Sequence, residues 1–309
     1  MYLEVKNLSK TYKDTKALDD INFNLEKGRF LSLLGPSGSG KSTIIHCIGG
    51  FIEHEGSVFL DGEDISHLDP NQRNVSTVFQ SLGLFSHMTV FQNVSYGLKF
   101  NHKDLSKEEK KRQVLEIIEM VGLAGYENRK PHQLSGGERQ RVALARSLVV
   151  KPKVLLMDEP LSALDQKLRE KMQLEIRRIH KEFDLTTIFV THDQAEAFIM
   201  ADEVIVLDKG KIVDKGTPQQ IYNHPSNKIS LDFIGQKNYV GDSYVRPEHV
   251  RISDQGREFV IKDILFKGSD IELVASNGDT VLKVLQLNDN LNYKVGDTIR
   301  LDYELEQIQ

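Results

Sequence analysis

Eight consecutive residues, Gly35-Pro36-Ser37-Gly38-Ser39-Gly40-Lys41-Ser42, fit the pattern G-x-x-x-x-G-K-[ST] between a β-rich run (Phe30–Leu34) and a helical run that opens at Thr43. The chemistry of that pattern is phosphate binding. The glycines allow backbone N–H groups to curl around phosphate oxygens, and the helix N-terminus adds its partial positive charge. Lys41 is then placed to reach the β- and γ-phosphates and the Ser42 hydroxyl to ligate Mg2+, with Thr43 in the same phosphate-facing set. Chance supplies roughly 0.01 such matches in a chain of this length. An accidental glycine-rich turn is therefore the weaker reading, and the strand–loop–helix context weakens it further.

Two more groups of residues have the right types for the same chemistry. Lys153-Val154-Leu155-Leu156-Met157-Asp158-Glu159-Pro160 reads as a buried strand ending in adjacent acids. Side chains alternate along a strand, so the two carboxylates are expected to face different ways. Asp158 suits a metal-holding role, directly or through water, and Glu159 suits the general base or water-orienting group. Adjacent acids at a strand end are ordinarily just solvated; beside a P-loop the functional reading prevails. Ser135-Gly136-Gly137-Glu138 matches a capping box at the start of a helical run. A cap does not need two glycines, and bare backbone N–H groups at a helix start are suited to an anion. This makes a second candidate phosphate site.

The elements that must position these groups read as an α/β protein followed by a smaller β-rich part. Apolar runs at Arg29–Leu34, Ser57–Leu60, Lys153–Met157, Thr186–Val190 and Glu203–Leu207 read as strands, several leading directly into helical sequence, with ligand sites expected at their carboxyl ends. Between Thr89 and Val150 strand signals vanish. Leu105–Val121 and Glu138–Val149 read as helices, and Asp165–Phe183 carries Leu168, Met172, Ile176, Ile179 and Phe183 on one stripe. After about Ile234 alternating patterns dominate (Glu258–Phe266, Thr280–Leu287), with Asn277-Gly278 as a hairpin signal.

Composition narrows the function classes. The 309 residues are 39% hydrophobic and 28% charged, with a net charge of −5, an ordinary globular balance that argues against a protein whose task is to coat nucleic acid. Cys47, the only cysteine, excludes an internal disulfide and a zinc-type cysteine cluster, and suits a reducing cytoplasm. The start, MYLEVKNLSKTYKD, is too charged for a signal peptide. The longest uncharged apolar stretch, around Thr43 to Ile52, is far shorter than the ~18 residues of a membrane span. Work at a membrane would require a partner that holds the chain there.

Leu134-Ser135-Gly136-Gly137-Glu138-Arg139-Gln140 resembles the signature motif of the ABC ATPases, and the order P-loop, signature, Walker B matches that family. The resemblance covers about residues 2 to 235. It implies a P-loop ABC ATPase core in residues 1–235, with a helical subdomain at about 89–150, and a small β-rich regulatory or dimerisation domain in 236–309. It also implies a head-to-tail homodimer in which each ATP lies between the P-loop of one copy and Ser135, Gly136 and Gly137 of the other. Carried over residue by residue, Tyr12 takes the place of the aromatic that stacks on adenine. Gln80 matches the Q-loop glutamine that contacts Mg2+ and the attacking water. Asp165, in Ser162-Ala163-Leu164-Asp165, matches the D-loop, although Asp165 could equally be a helix cap. His192 matches the switch histidine that contacts the γ-phosphate. The catalytic set implied is Lys41, Gln80, Glu159 and His192; the metal set is Ser42, Gln80 and Asp158.

Phe79-Gln80-Ser81-Leu82-Gly83-Leu84-Phe85-Ser86-His87-Met88-Thr89-Val90 resembles the segment that receives the membrane subunit in binding-protein-dependent importers. Leu82, Leu84 and Phe85 are expected to be exposed and to line a docking groove, or else to form a satellite core. Tyr244-Val245-Arg246-Pro247-Glu248-His249-Val250 is similar to the C-terminal OB-like (TOBE) domain of importers for sulfate, ferric iron, polyamines, molybdate or sugars, in a short, single-unit form. Both ligand-triggered inhibition and simple dimer support stay open for it. The implied partners are a second copy, integral membrane permease subunits and, indirectly, a solute-binding protein, with no nucleic acid. The implied location is the cytoplasmic face of a bacterial or archaeal cell membrane. The competing class is a soluble ABC ATPase acting on nucleic acid or ribosomes. Against it, the interval from Ser42 to Ser135 holds no long coiled coil, and the chain has one P-loop.

Overall fold

Phe30-Leu31-Ser32-Leu33-Leu34 offers no polar face to water, and all five residues are buried at the centre of the larger sheet, as expected of a parallel strand covered on both sides. The computed structural model describes residues 1–101, 105–289 and 293–307, in two units, Met1–Asn223 and His224–Gln309. The helix Lys228–Phe233 thus clusters with the C-terminal unit.

The first unit runs β1 (Leu3–Tyr12), β2 (Thr15–Leu25), β3 (Phe30–Leu34), α1 (Lys41–Gly49), β4 (Glu55–Leu60), β5 (Glu63–Asp64), β6 (Val75–Val78), α2 (Val90–Ser95), α3 (Leu98–Asn101), α4 (Lys107–Met120), α5 (Gly136–Leu148), β7 (Val154–Asp158), α6 (Gln166–Glu182), β8 (Thr186–Val190), α7 (Gln194–Met200), β9 (Glu203–Asp208), β10 (Lys211–Gly216) and α8 (Pro218–Asn223). One sheet has the order β10-β9-β3-β8-β7-β6 and the other β2-β1-β4-β5. The larger sheet is parallel except for the antiparallel β9–β10 pair, and β3 lies between β8 and β9. The loops after β3, β7 and β8 leave from the same end of that sheet, so the P-loop, Asp158-Glu159 and His192 meet there.

Strand alternation divides the core in two. Leu31, Leu33, Val154 and Leu156 face α1 and the antiparallel sheet, where Ile44, Ile45 and Ile48 pack. Phe30, Leu155, Met157 and Phe189 face the helices, meeting Met172, Ile176 and Ile179 of α6. Removing a buried aromatic ring such as Phe30 would cost about 3–5 kcal/mol. Helix starts are chemically marked: Thr89, Ser106 and Ser135 each accept from the backbone N–H three residues on, with Gln92, Glu109 and Glu138 reaching back.

The sequence reading had no explicit strand for most of the antiparallel sheet. The reason lies in β1: its ladder with β2 shifts register between Val5 and Leu8, where Asn7 has φ 51°, so Leu3, Val5 and Leu8 are buried out of strict alternation. Of the two alternatives for Leu82, Leu84 and Phe85, the packing of Leu82 and Leu84 against the helical core favours the satellite core, and Phe85 is half-buried as well.

The second unit contains α9 (Lys228–Phe233), β11 (Asn238–Val240), β12 (Ser243–Val245), β13 (Arg251–Phe266), β14 (Asp270–Asn277), β15 (Thr280–Leu287), β16 (Thr298–Asp302) and β17 (Glu306–Gln307). Its antiparallel sheets are β11-β12-β17 and β15-β14-β13-β16, around Val245, Phe259, Ile261, Leu273, Leu282, Val284 and Leu301. The β14–β15 hairpin closes one position beyond the centre that Asn277-Gly278 suggests: Asn277 still pairs with Thr280 as the last strand residue, and the two-residue turn is Gly278-Asp279, with Gly278 at φ 60° in the first position, where a Gly-X turn needs it.

Candidate nucleotide-binding site

The three glycines of the loop Gly35–Gly40 all hold positive φ, and at Gly35 and Gly40 a side chain would also collide with its surroundings. Gly35 has φ 153°, and a Cβ there would stand 2.2 Å from the Leu207 carbonyl oxygen. Gly38 also has positive φ, 79°, but a Cβ there would meet nothing within 4 Å, so this stretch of backbone faces open space. Lys41 lies at the start of α1, and its Nζ donates to the Gly35 and Pro36 carbonyls, both at 2.8 Å. Burial pushes the Lys41 ammonium below its ordinary pKa, against the opposing pull of Glu159 and Asp158. A cleft of about 220 Å³ is lined by Ala17, Ser37, Gly38, Lys41, Ser42 and Glu159, among others, which puts an acid from the end of β7 beside the phosphate loop.

Asp158 and Glu159 do diverge, but alternation along a strand is not the cause. β7 ends at Asp158, and Glu159 takes the left-handed conformation, φ 42°, with its N–H donating to the Val190 carbonyl at 3.1 Å. A non-glycine residue held there stores roughly 1–3 kcal/mol of strain, which the β7–β8 connection must hold. Asp158 accepts from the Ser42 hydroxyl at 2.7 Å through Oδ1, and His46 Nε2 stands 3.5 Å from Oδ2. Glu159 Oε2 is 3.4 Å from Gln80 Nε2, and Oε1 is 3.5 Å from His192 Nδ1. Gln80 Nε2 also donates to the Ser162 hydroxyl, 3.3 Å away, which in turn donates to the Glu159 carbonyl. Gln80, from the loop after β6, thus joins two other loops at one carboxylate.

Lys41, Ser42, Asp158, Glu159, Gln80 and His192 therefore converge. The remaining sequence candidates stand elsewhere. Tyr12 ends β1, 46% exposed, with Lys10 over its ring at 5.2 Å. Ser135 caps α5, and among the described residues no hydrogen bond or ion pair joins Ser135, Gly136 or Gly137 to the cluster around Lys41. The two glycines also have a packing reason: a Cβ at Gly136 would meet Leu164 at 3.3 Å and one at Gly137 would meet Leu168 at 2.8 Å. Asp165 accepts from the Leu168 N–H at 3.1 Å as the N-cap of α6.

His46 belongs to none of the motifs named above. It lies one helical turn beyond Ser42, and the i, i+4 spacing that puts both side chains on Asp158 was a usable signal. The donor set fits a phosphate-bound Mg2+. Among the described residues no group of three or more His, Cys, Asp or Glu side chains forms a metal cage. A cage is not what Mg2+ needs, since that ion is typically held by one or two protein oxygens together with phosphates and water.

Residues 18–162 match the ABC transporter family profile and residues 244–309 match that of the TOBE domain. The Spermidine/putrescine import ATP-binding protein PotA of Clostridium novyi (strain NT) is 39% identical to this chain, covering 99% of it and 96% of the relative. The chain belongs to the importer-type ATP-binding subunits of the ABC transporter family. Among solved structures, the ATP-binding cassette MJ0796, a dimer in a post-hydrolysis state bound to ADP and Pi, is 36% identical over 70% of this chain and 98% of its own, with a TM-score of 0.63. CbiO1 of Clostridium perfringens, part of the ABC transporter complex cbiONQ, is 31% identical over 72% of this chain and 91% of its own, with a TM-score of 0.65. Like the family, this subunit binds ATP and hydrolyses it to power import. No described helix is long and apolar enough to cross a membrane.

Proposed function

We propose that this subunit powers uptake of a small organic polycation of the spermidine or putrescine kind, as a pair of identical copies seated on integral membrane subunits at the cytoplasmic face of the cell membrane. The observation that carries the cargo class is the likeness to the spermidine/putrescine import protein over nearly the whole of both chains. A solute-binding protein would deliver the cargo to the membrane subunits, and this chain need not touch it.

In the hydrolytic reading, the P-loop backbone of Gly35, Pro36, Ser37, Gly38, Ser39 and Gly40 cradles the phosphates together with Thr43, and Lys41 offsets charge on the transferring group. Glu159 takes a proton from the attacking water, with Gln80 and His192 fixing the carboxylate and the γ-phosphate. Ser42, Asp158 and Gln80 would hold Mg2+, which supplies charge neutralisation on the phosphates. Tyr12 would stack on adenine. Ser135, Gly136, Gly137 and Asp165 would act from the opposing copy, which is consistent with their separation from Lys41 within one chain.

Purification from the source membranes in mild detergent tests the reading. Two copies recovered with integral membrane subunits, and ATP hydrolysis stimulated by spermidine or putrescine with the cognate solute-binding protein, are expected. Stimulation only by an anion or a sugar would overturn the cargo class. Recovery solely from soluble fractions would overturn the membrane assembly.

A further inference from the structure

Behind His192 lies a polar connection with no part in the hydrolytic roles above. His192 itself is poorly held: its side chain is 58% exposed, and its contact with Glu159 is long, 3.5 Å. Its position must come from the backbone on either side. Thr191 is buried, its N–H donates to the Leu33 carbonyl at the end of β3 (3.2 Å), and its hydroxyl donates to Glu196 Oε2 at 2.6 Å. The same hydroxyl accepts from the Asp193 N–H at 3.0 Å, and Asp193 caps α7 by accepting from Ala195 and Glu196.

One guanidinium gathers this loop from outside. Arg169, in the first turn of α6, places Nη1 3.6 Å from Asp193 Oδ2 and Nε 3.6 Å from Glu196 Oε1, while Nη2 donates to the Leu164 carbonyl at 3.0 Å. The Glu196 side chain is only 6% exposed. Removing a carboxylate from water costs more than an apolar side chain of similar size would cost there, so an ion pair in this place is poor evidence of a stability role and a better candidate for fixing geometry. Arginine rather than lysine suits it, because one planar guanidinium can hydrogen-bond the Leu164 carbonyl through Nη2 while its delocalised charge faces both Asp193 and Glu196 at ion-pair distance.

We infer that Arg169, acting with Glu196 and Thr191, is a positioning residue for ATP hydrolysis: it sets the His192 loop against Glu159 and ties that loop to the Ser162–Asp165 segment. The inference rests on the assignment of ATP hydrolysis to this chain. A displacement of about 1 Å at a reacting centre costs roughly 10²-fold in rate, which sets the scale of the expected effect.

The test uses the full-length chain and the Arg169→Met variant, which keeps the aliphatic stem and removes the fork. The turnover number should fall by about 10²-fold while the KM for ATP stays within about twofold, and Arg169→Lys should recover part of the turnover. Turnover of Arg169→Met within about threefold of wild type would overturn the inference, as would parallel loss of turnover, ATP affinity and thermal stability with no recovery in Arg169→Lys. Should Arg169→Met fail to fold, Glu196→Gln carries the same test, since it retains the acceptor for Thr191 and removes the charge facing Arg169. Wild-type protein is run beside Glu159→Gln. Absence of magnesium-dependent turnover in wild type would remove the ATPase assignment and the inference with it; wild-type turnover with an unaltered Arg169→Met would remove the inference alone.

Discussion

Glu159→Gln separates chemistry from binding more cleanly than any other single change. The amide keeps the size and shape of the side chain, still accepts from Gln80 and leaves the φ 42° backbone as it is. What it loses is the ability to take a proton. Loss of a positioned general base is worth about 10²–10⁴ in rate, or roughly 3–5 kcal/mol of barrier at 1.36 kcal/mol per tenfold. The stability effect should be far smaller, because the His192 partner is mostly exposed and such pairs contribute about 0–1 kcal/mol. The assay is phosphate release under saturating MgATP, together with nucleotide affinity by calorimetry. Turnover should drop by at least about 10²-fold with ATP still bound. Near-normal turnover, or loss of nucleotide binding in parallel with turnover, would refute the assignment of Glu159 as base.

Ser135→Arg should leave nucleotide binding by the single chain intact while abolishing ATP-driven association in the Glu159→Gln background; unchanged association by light scattering would remove Ser135 from the dimer interface. Gly56→Ala should destabilise the first unit by about 3 kcal/mol or more in chemical denaturation, because a Cβ at φ 86° would stand 2.4 Å from the Asn7 carbonyl oxygen in the β1–β4 ladder. A midpoint shift too small for that would mean the ladder yields locally. Burial, more than the neighbouring Asp193 charge, raises the Glu196 carboxyl above its ordinary value of 4.5, with Thr191 and Arg169 opposing. The folded chain therefore binds this proton more tightly than the unfolded chain. The group's contribution to stability is full below pH 4.5 and falls as pH rises through the folded value. Stability measured against pH should lose that slope in Glu196→Gln; an unchanged slope would exclude Glu196 as its source.

Much of the site was legible because its signals are local. A P-loop is contiguous chain whose own backbone does the binding, so Gly35 to Ser42 announces both its shape and its ligand. The capping box at Ser135 and the Asn277-Gly278 hairpin signal are equally short-range, and the structure has a helix and a hairpin at those places. The apolar strands β3, β7 and β8 could be read for the same reason, since burial on both faces leaves a continuous run with no register to misjudge.

Other features depend on what lies across space. The break in β1 at Asn7 obscures strand alternation until the pairing with β2 is known. The left-handed turn at Glu159 exists because Val190, on the neighbouring strand, takes its N–H. Gly137 carries a second constraint, packing against Leu168, that no neighbouring residue in the sequence announces. The fork of Arg169 on Leu164, Asp193 and Glu196 has no sequence signature, because helix α6 and the loop after β8 meet only when the sheet brings them together. By itself the sequence determined which residues are chemically able to hold phosphate, accept a proton and cap helices, since those properties belong to side chains and to neighbours a few positions away. Only the tertiary structure decided which of them share one centre and which arginine stands against the His192 loop, because parallel strand order, not distance along the chain, sets which loops converge.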